Sequence, residues 1–349
     1  MVMSRFFLQA ATCISVLLFG SCDTSFDPSA AFKPRMVVYS VLRNDSDTQY
    51  VRIYSTYLPS DNDPTKNPGE IPVTDAVVNI TGTNPLYDAR TLEFQRIDVK
   101  RLDQSRYTND IAAYYCYPFR PIKGATYRLT AVSPTYGTAT AETTVPGRVT
   151  ITLVNPSVLE NPFYTSVDFG IKVGLAPEAK AFVPHIYVDY LRPTGFGSYN
   201  PKRIEVPLIR EPVDCFNDIF NEAYPLPTLR STPAVAPVYT GGIPQYQAQE
   251  AVPYNRIPYQ HKIYHLYDRE GLGILFRQAV TVVAQFDTSL WDYYSVANLF
   301  RDKFSVRTDE PDFTNISSGV GVFGSMSVDS LIWRLPEVIP HPEIRGGCM

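Results

Sequence analysis

Residues 124–132 read GATYRLTAV, and this stretch decides the fold class of the chain. In it Tyr127, Leu129 and Ala131 alternate with polar residues. Successive side chains of a β-strand point to opposite faces of a sheet, so the alternation predicts a strand with one face in a hydrophobic core. The segments on either side carry the same type of signal.

Short runs rich in Val, Ile, Thr and Tyr surround this strand and are separated by clusters of Pro, Gly, Asn and Asp, which is typical of short strands joined by turns. In the first part of the chain these runs lie at residues 36–42, 50–57, 76–81, 92–100, 125–133 and 138–145. This density of strands predicts an immunoglobulin-like β-sandwich over residues 34–147.

A second strand-rich region follows Pro146-Gly147 and extends over residues 148–336. Its predicted strands lie at residues 166–174, 182–191, 204–208, 278–286 and 327–333. Apolar spacing and possible capping residues predict two short helices, at 213–222 and at 289–300, the latter capped by Thr288 or Ser289. The predicted class is therefore mainly β, with two β-sandwich-like domains, a boundary near 147 and a C-terminal tail at 337–349.

Composition agrees with a chain of two domains, because 349 residues with 44% hydrophobic content exceed the usual size of a single domain. The formal net charge is −4, and no window is dense in Lys and Arg with interleaved aromatic residues. A nucleic-acid partner is therefore not expected.

The N-terminus predicts export and a lipid anchor. Arg5 precedes an apolar run at residues 6–19 that is too short to span a bilayer comfortably, so residues 1–21 are interpreted as a signal peptide. The run ends in Phe19-Gly20-Ser21-Cys22, which resembles a lipobox, with Phe19 in place of the usual Leu. We expect Cys22 to be lipidated, residues 22–33 to form a tether, and the protein to lie at the outer membrane, at the cell surface. The alternative is an ordinary secretory signal in which Cys22 is incidental.

The sequence holds little that indicates catalysis. It contains no phosphate-binding G-x-x-x-x-G-K-[ST], no G-x-S-x-G and no H-E-x-x-H motif, so we expect no cofactor and no enzymatic activity. The best metal candidate is the pair His261 and His265, whose spacing places both rings on one face of a helix or a strand. Two ligands do not make a metal site, and the alternative is that both histidines are ordinary polar residues.

Cys116 and Cys215 could form a disulfide, although no spacing requires it.

Residues 225–259 are dense in Pro, Tyr and Gln. Proline has no backbone N–H to donate to a sheet, so we expect an extended loop at the surface, which we call the excursion. Exposed aromatic rings are frequent in binding sites, and the excursion is therefore the candidate recognition surface. Its candidate ligand-binding residues are Tyr239, Tyr246, Tyr254 and Tyr259, and the alternative is a loop that only packs against its own domain.

The segment at 315–324, NISSGVGVFG, predicts a turn into a final strand. Gly319, Gly321 and Gly324 would permit positive φ or close backbone approach, while Val320, Val322 and Phe323 fill the core. No helix start with amides facing a phosphate follows, so this is not a nucleotide-binding loop. Together with the lipobox at Cys22, the strand at 124–132, and Trp291-Asp292-Tyr293-Tyr294, the segment resembles a family of uncharacterised Bacteroidota outer-membrane lipoproteins, commonly encoded beside TonB-dependent receptors.

The resemblance implies a domain of unknown function in an accessory role beside an outer-membrane importer, and it supplies no catalytic residues. The leading hypothesis is a non-catalytic surface lipoprotein that binds a glycan or peptide ligand, or the TonB-dependent receptor. One alternative is a fimbrillin-like structural or adhesin subunit, which would need a removable first strand. A further alternative is a metal-dependent hydrolase that uses His261 and His265.

Overall fold

The computed structural model describes residues 32–57, 71–83, 88–100, 110–195, 197–214, 219–271, 273–298 and 313–341. The strands of the first half are β1 (Met36–Arg43), β2 (Gln49–Ser55), β3 (Ile71–Pro72), β4 (Val77–Gly82), β5 (Thr91–Lys100), β6 (Asp110–Cys116), β7 (Thr126–Ser133) and β8 (Gly137–Thr144). Those of the second half are β9 (Thr150–Val154), β10 (Phe169–Gly174), β11 (Ala181–Gly195), β12 (Ser198–Glu205), β13 (Ile209–Asp214), β14 (Ile219–Ala223), β15 (Thr228–Leu229), β16 (Val238–Thr240), β17 (Ile243–Gln245), β18 (Glu250–Tyr254), β19 (Leu275–Phe286) and β20 (Val320–Arg334). The helices are α1 (Ser157–Glu160), a 3-10 turn (Pro162–Tyr164), α2 (Arg256–Glu270) and α3 (Thr288–Asn298).

One large sheet runs through both halves in the order β12-β11-β19-β20-β1-β2-β6-β5-β4-β7-β8. The two halves meet in this sheet at the pair β1 and β20, which lie parallel with Val37 opposite Val320 and Arg43 opposite Met326. The other edge of β1 pairs antiparallel with β2. A strand near the start of the described residues is therefore held between its sequence neighbour and a strand almost 300 residues later.

In the first half this sheet folds into two layers because β5 changes partner along its length. Leu92 and Phe94 pair with β4, whereas the residues from Gln95 onward pair with β6. The strand predicted around Tyr127 is β7, with Tyr127, Leu129 and Ala131 fully buried between the layers. The prediction of a mainly β protein with sandwich-like packing is confirmed.

In the second half the inner face of β11 and β19 packs against the sheet β18-β10-β9 and against α2. The apolar core falls into two clusters. One cluster draws on residues 36–145 together with Ile316 and Phe323, and the other on residues 149–283 together with Leu335 and Ile339. Strand β20 contributes to both, through Phe323 at its start and Trp333 at its end. The boundary near 147 stays a prediction about independent domains.

Two helix predictions have different outcomes. The helix predicted at 289–300 is present as α3, but its N-terminus is capped by Asp287, which accepts a hydrogen bond from the Leu290 amide at 2.9 Å. The helix predicted at 213–222 is wrong. The chain there forms the hairpin β13–β14, with Arg210 directly opposite Glu222. An opposite-charge pair across two strands stabilises a hairpin in a way that helical spacing does not reveal.

The glycine-rich segment behaves as predicted at Gly321, which has φ +109° inside β20. A Cβ atom there would lie 2.2 Å from the Val38 carbonyl oxygen of β1, so only glycine lets the two strands approach.

The Asn315 side chain pairs with the backbone of Phe323 as a neighbouring strand would. Its Nδ2 donates to the Phe323 carbonyl at 2.7 Å, and its Oδ1 accepts from the Phe323 amide at 2.9 Å.

A buried carboxylate supports the first sandwich. Asp88 accepts hydrogen bonds from the Arg90 guanidinium at 2.9 Å and from the Tyr127 hydroxyl at 3.1 Å. Hydrogen bonds from Arg90 lower the pKa of Asp88 to about 2, against the desolvation that would raise it. The side chain of Asp88 is 2% exposed, so these partners replace its water almost completely.

The depressed pKa of Asp88 predicts a defined acid sensitivity. The ionised form contributes stability above the pKa of the unfolded chain, near 4, and this contribution is lost as the pH falls from about 4 toward 2. We expect a loss of about 1 to 2 kcal/mol of unfolding free energy, discounted because Arg90 is solvent-exposed. Urea unfolding at a series of pH values should show this loss in the wild type and not in Asp88→Asn. Equal pH dependence in both proteins would contradict the assignment.

Candidate functional site

The predicted excursion at 225–259 is largely ordered structure, because it contains β15 to β18 and the start of α2. The buried carboxylate of Glu250 holds this segment in place. Glu250 accepts hydrogen bonds from the amide and hydroxyl groups of Ser231 and Thr232, at 2.6 to 2.8 Å. Burial raises the pKa of Glu250, but these hydrogen bonds outweigh it and leave the pKa below its usual value. The high Pro and Tyr content therefore reflects short strands anchored by side chains.

The four candidate tyrosines occupy different environments. Tyr254 and Tyr259 are fully buried, and their hydroxyls donate to the carbonyls of Pro184 and Leu159. Both rings fill the core of the second half and present no surface to solvent, contrary to the expected exposed aromatic platform, and their role in ligand binding stays an untested prediction. Tyr246 is half-buried, and its hydroxyl donates to the Arg148 carbonyl at 2.5 Å. Tyr239, on β16, is 67% exposed and is the one of the four that presents its ring to solvent.

Exposed apolar side chains concentrate in the same part of the chain. Among the described residues, 24 large apolar side chains are exposed, and nine of them lie between Ile209 and Ile243. They belong to the hairpin β13–β14, to the hairpin β16–β17 and to the segment that connects these two: Ile209, Val213, Ile219, Leu226, Leu229, Val235, Val238, Tyr239 and Ile243. Such a concentration of exposed apolar side chains along one part of the chain is a candidate for an interaction site. We call β13–β14 and β16–β17 the exposed hairpins.

A charged cluster holds the first of the exposed hairpins onto α2. Glu222 on β14 forms ion pairs with Arg210 on β13 and with Lys262 on α2, the latter at 3.0 Å. The Arg210 guanidinium stacks on the Phe220 ring, 3.6 Å from its centre. Burial and the charge of Arg210 lower the pKa of Lys262 to about 8. Lys262 is thus mostly protonated at neutral pH, and the ion pair with Glu222 persists there.

The two candidate metal ligands lie one turn apart on α2, the helix that this cluster contacts. His261 is half-buried, and burial lowers its pKa. His265 packs edge-on against Phe220, with ring centres 5.4 Å apart. Two carboxylates follow on the same helix: Asp268 is exposed, and Glu270 forms an ion pair with Arg192. Within the described ranges, no three His, Cys, Asp or Glu residues are grouped closely enough to hold a metal ion.

Of the five cysteines, the structure describes Cys116 alone. Cys116 is a buried free thiol at the end of β6, and desolvation raises its pKa. Its suggested disulfide partner, Cys215, and the expected lipidation site, Cys22, both lie outside the described residues. Across the residues that the structure describes, no helix is long and apolar enough to cross a membrane.

Comparison with known protein families gives a match over part of the chain. No curated protein matches the chain significantly. The model of a family described as Domain of unknown function (DUF4249) matches residues 23–183, which cover the first sandwich and the start of the second half. Over these residues the chain is similar to an uncharacterised family.

Proposed function

We propose that the protein is a non-catalytic surface lipoprotein that works beside an outer-membrane TonB-dependent importer. In this proposal Cys22 carries the lipid anchor, and the folded part binds the importer or a glycan or peptide that the importer takes up. The observation that carries the proposal is the concentration of exposed apolar side chains between Ile209 and Ile243, six of the nine being on the exposed hairpins.

The apolar exposure favours a protein partner. A single soluble protein rarely leaves a large apolar area in water, since each buried Å² stabilises an interface by about 25 cal/mol. Val213 and Ile219 face solvent on one hairpin, and Val238 and Tyr239 do so on the other. Tyr and branched apolar side chains of this kind supply the buried centre of protein interfaces.

The backbone of the exposed hairpins supports the same role. Among the described strands, β13 pairs only with β14, and β16 pairs only with β17. These strands therefore have edges without a strand partner, which an added strand could use, except where the Arg210 backbone is hydrogen-bonded to His261 and where Pro212 and Pro244 lack an amide. The ion pairs of Glu222 with Arg210 and Lys262 hold the first hairpin in place, which lowers the entropic cost of ordering it on binding.

A pull-down with matched variants tests the proposal. The tagged full chain is purified in detergent from its native membranes, and co-purifying proteins are quantified by mass spectrometry. We expect an importer of the TonB-dependent class at near-stoichiometric level, and a loss of about tenfold or more in Val238→Asp, because a carboxylate would be desolvated in the interface. Val77→Asp is the control, since Val77 is also a strand residue and has similar exposure, 53% against 59%.

Equal recovery of the importer with Val238→Asp would contradict the role of the exposed hairpins. Absence of any importer from the wild-type preparation would contradict the proposal itself. Cys22→Ser provides a separate arm, in which the protein should leave the membrane fraction.

The fimbrillin-like alternative is less well supported. It requires removal of a first strand, and β1 is paired with β2 on one edge and with β20 on the other. Met36, Val38 and Leu42 of β1 are fully buried, so removal would open the centre of the sheet. Detergent-resistant ladders of the protein on a gel, with no importer present, would favour this alternative.

A further inference from the structure

A cavity of about 380 Å³ lies between the hairpin β13–β14 and helix α2. Its walls combine apolar side chains, among them Phe220 and Leu266, with charged side chains, among them Glu222 and Lys262. Clefts that bind small molecules have volumes of this size and walls of this mixed kind. The cavity is therefore large enough to hold a small organic ligand beside Lys262.

The Lys262 amine is fixed at the wall of this cavity. It lies 3.0 Å from both carboxylate oxygens of Glu222, which lines the same cavity, and 3.4 Å from the Tyr224 hydroxyl. One turn further along α2, His265 packs against the Phe220 ring and closes the wall next to Lys262. The Lys262 side chain is 17% exposed, so its amine is held among protein groups and is largely removed from water.

The charges around Lys262 favour the loss of its proton. Glu222 also forms an ion pair with Arg210, whose side chain is 3% exposed, so two cations share one carboxylate. A second carboxylate, Glu205 at the end of β12, acts on Lys262 in the opposite direction, but it also lies 2.6 Å from the His185 ring. Desolvation, together with the charge of Arg210, therefore outweighs Glu205 and lowers the pKa of Lys262 to about 8.

This environment makes Lys262 a better nucleophile than an ordinary lysine at neutral pH, because only the neutral amine attacks a carbonyl group. At pH 7.5 about a quarter of the amines with a pKa of about 8 are neutral, against about one in a thousand for an ordinary lysine. A desolvated lysine beside another cation is an arrangement that activates the amine for imine formation.

We propose that Lys262 is a covalent binding site for small aldehydes, which enter the cavity and form an imine with its amine. The neutral amine adds to the carbonyl carbon, and the resulting carbinolamine loses water. The imine nitrogen then takes up a proton, so the ammonium group and the aldehyde together give a protonated imine and one water molecule. The positive charge stays at the nitrogen, and Glu222 keeps its partner.

The apolar walls suit the organic part of such a ligand. Phe220 and Leu266 lie on the wall beside Lys262 and offer contact to an aromatic or aliphatic aldehyde. The inference goes beyond the proposed function because it assigns a covalent site and a class of ligand. It does not depend on an importer, since the purified chain alone should react.

Reductive amination with benzaldehyde and cyanoborohydride tests the site in the detergent-solubilised full chain. Mass spectrometry of peptides gives the labelling rate at each lysine. At pH 7.5 we expect Lys262 to be labelled about tenfold faster, or more, than Lys172, an exposed lysine on β10 that serves as the internal control. The preference should disappear in urea, where the cavity is lost. Equal rates at the two lysines in the folded protein would overturn the proposal.

A ligand that binds in the cavity before it reacts also predicts saturation. The rate at Lys262 should level off with rising benzaldehyde concentration. It should fall when benzyl alcohol is added, because the alcohol has a similar shape but cannot form an imine. The rate at Lys172 should stay proportional to benzaldehyde and be unaffected by the alcohol. A proportional rate at Lys262, insensitive to the alcohol, would show a reactive amine without a binding cavity and would overturn the site.

The dependence on pH and one pair of variants complete the test. The rate at Lys262 should level off above about pH 8, whereas the rate of an ordinary lysine rises to about pH 10. Lys262→Arg keeps a positive charge beside Glu222 and should abolish the fast phase of total labelling, whereas Lys172→Arg should leave it intact. A fast phase that survives Lys262→Arg would place the reactive amine elsewhere. The rates at single lysines come from the wild-type chain, so misfolding of a variant cannot imitate them.

Discussion

Replacement of Gly321 by alanine is expected to lower the free energy of unfolding by about 3 to 5 kcal/mol. Two costs combine at this residue. Its φ of +109° is strained for any residue with a Cβ, and the new methyl group would lie 2.2 Å from the Val38 carbonyl oxygen. Val38 belongs to β1 at the centre of the sheet and cannot move without disturbing β2 and β20. Chemical denaturation followed by circular dichroism measures the change.

Gly137→Ala is the matched control for this prediction. Gly137 also has positive φ, +82°, but no heavy atom lies within 4 Å of the position its Cβ would occupy. This variant should therefore lose only the conformational part, about 1 kcal/mol. If the two variants are equally stable, the close approach of β1 and β20 does not limit the residue at 321.

Asn315→Ala is expected to cost about 2 to 4 kcal/mol of unfolding free energy. Asn315 pairs with both backbone polar groups of Phe323, whose own side chain is fully buried. Alanine would leave the Phe323 amide and carbonyl without this partner next to the core. Removal of one side of a buried hydrogen bond exposes the full desolvation cost of the other side. Thermal and urea unfolding give the size of the loss.

Asn315→Asp separates the two hydrogen bonds. Aspartate retains an oxygen that accepts from the Phe323 amide, but it cannot donate to the Phe323 carbonyl and would place negative charge beside it. The unfolding free energy should fall at neutral pH and recover in part when the carboxyl group is protonated. An Asp variant as stable as the wild type at neutral pH would show that the hydrogen bonds donated by the Asn315 amide, to the Phe323 carbonyl and to the Ser289 hydroxyl, together contribute nothing.

The local signals in the sequence were sufficient for most of the strands and for part of the glycine segment. The alternation at Tyr127, Leu129 and Ala131 predicted β7 because a period of two has one simple structural solution. Gly321 was predicted to allow close backbone approach because a glycine within a run of branched residues has few other uses. Asn315 was part of the same motif, but its pairing with Phe323 depends on a turn whose geometry the spacing does not reveal.

Helix α2 and the hairpin β13–β14 could not be assigned correctly from local pattern. Helix α2 contains Pro258 near its start and several tyrosines, which favour loop and strand, yet Tyr259, Ile263 and Tyr267 recur at helical spacing. The hairpin depends on the ion pairs of Glu222 with Arg210 and Lys262, of which the last is 40 residues away. Contacts over such separations override local propensity.

The sequence predicted where the candidate site lies along the chain, but not which of its side chains are exposed. The excursion at 225–259 does carry exposed apolar side chains, including Tyr239. Tyr254 and Tyr259 have the same local composition but face the core, because burial depends on which side of β18 and α2 meets β11.

The parallel pairing of β1 with β20 also sets an order of events during folding. While the chain is being synthesised, β1 is made early and can pair with β2 at once, but its other edge has no partner until residues 320–334 exist. An unpaired apolar strand edge is a template for association with other chains. Products that stop before β20 would keep that edge open, so the pairing of β20 with β1 removes this one site of association with other chains.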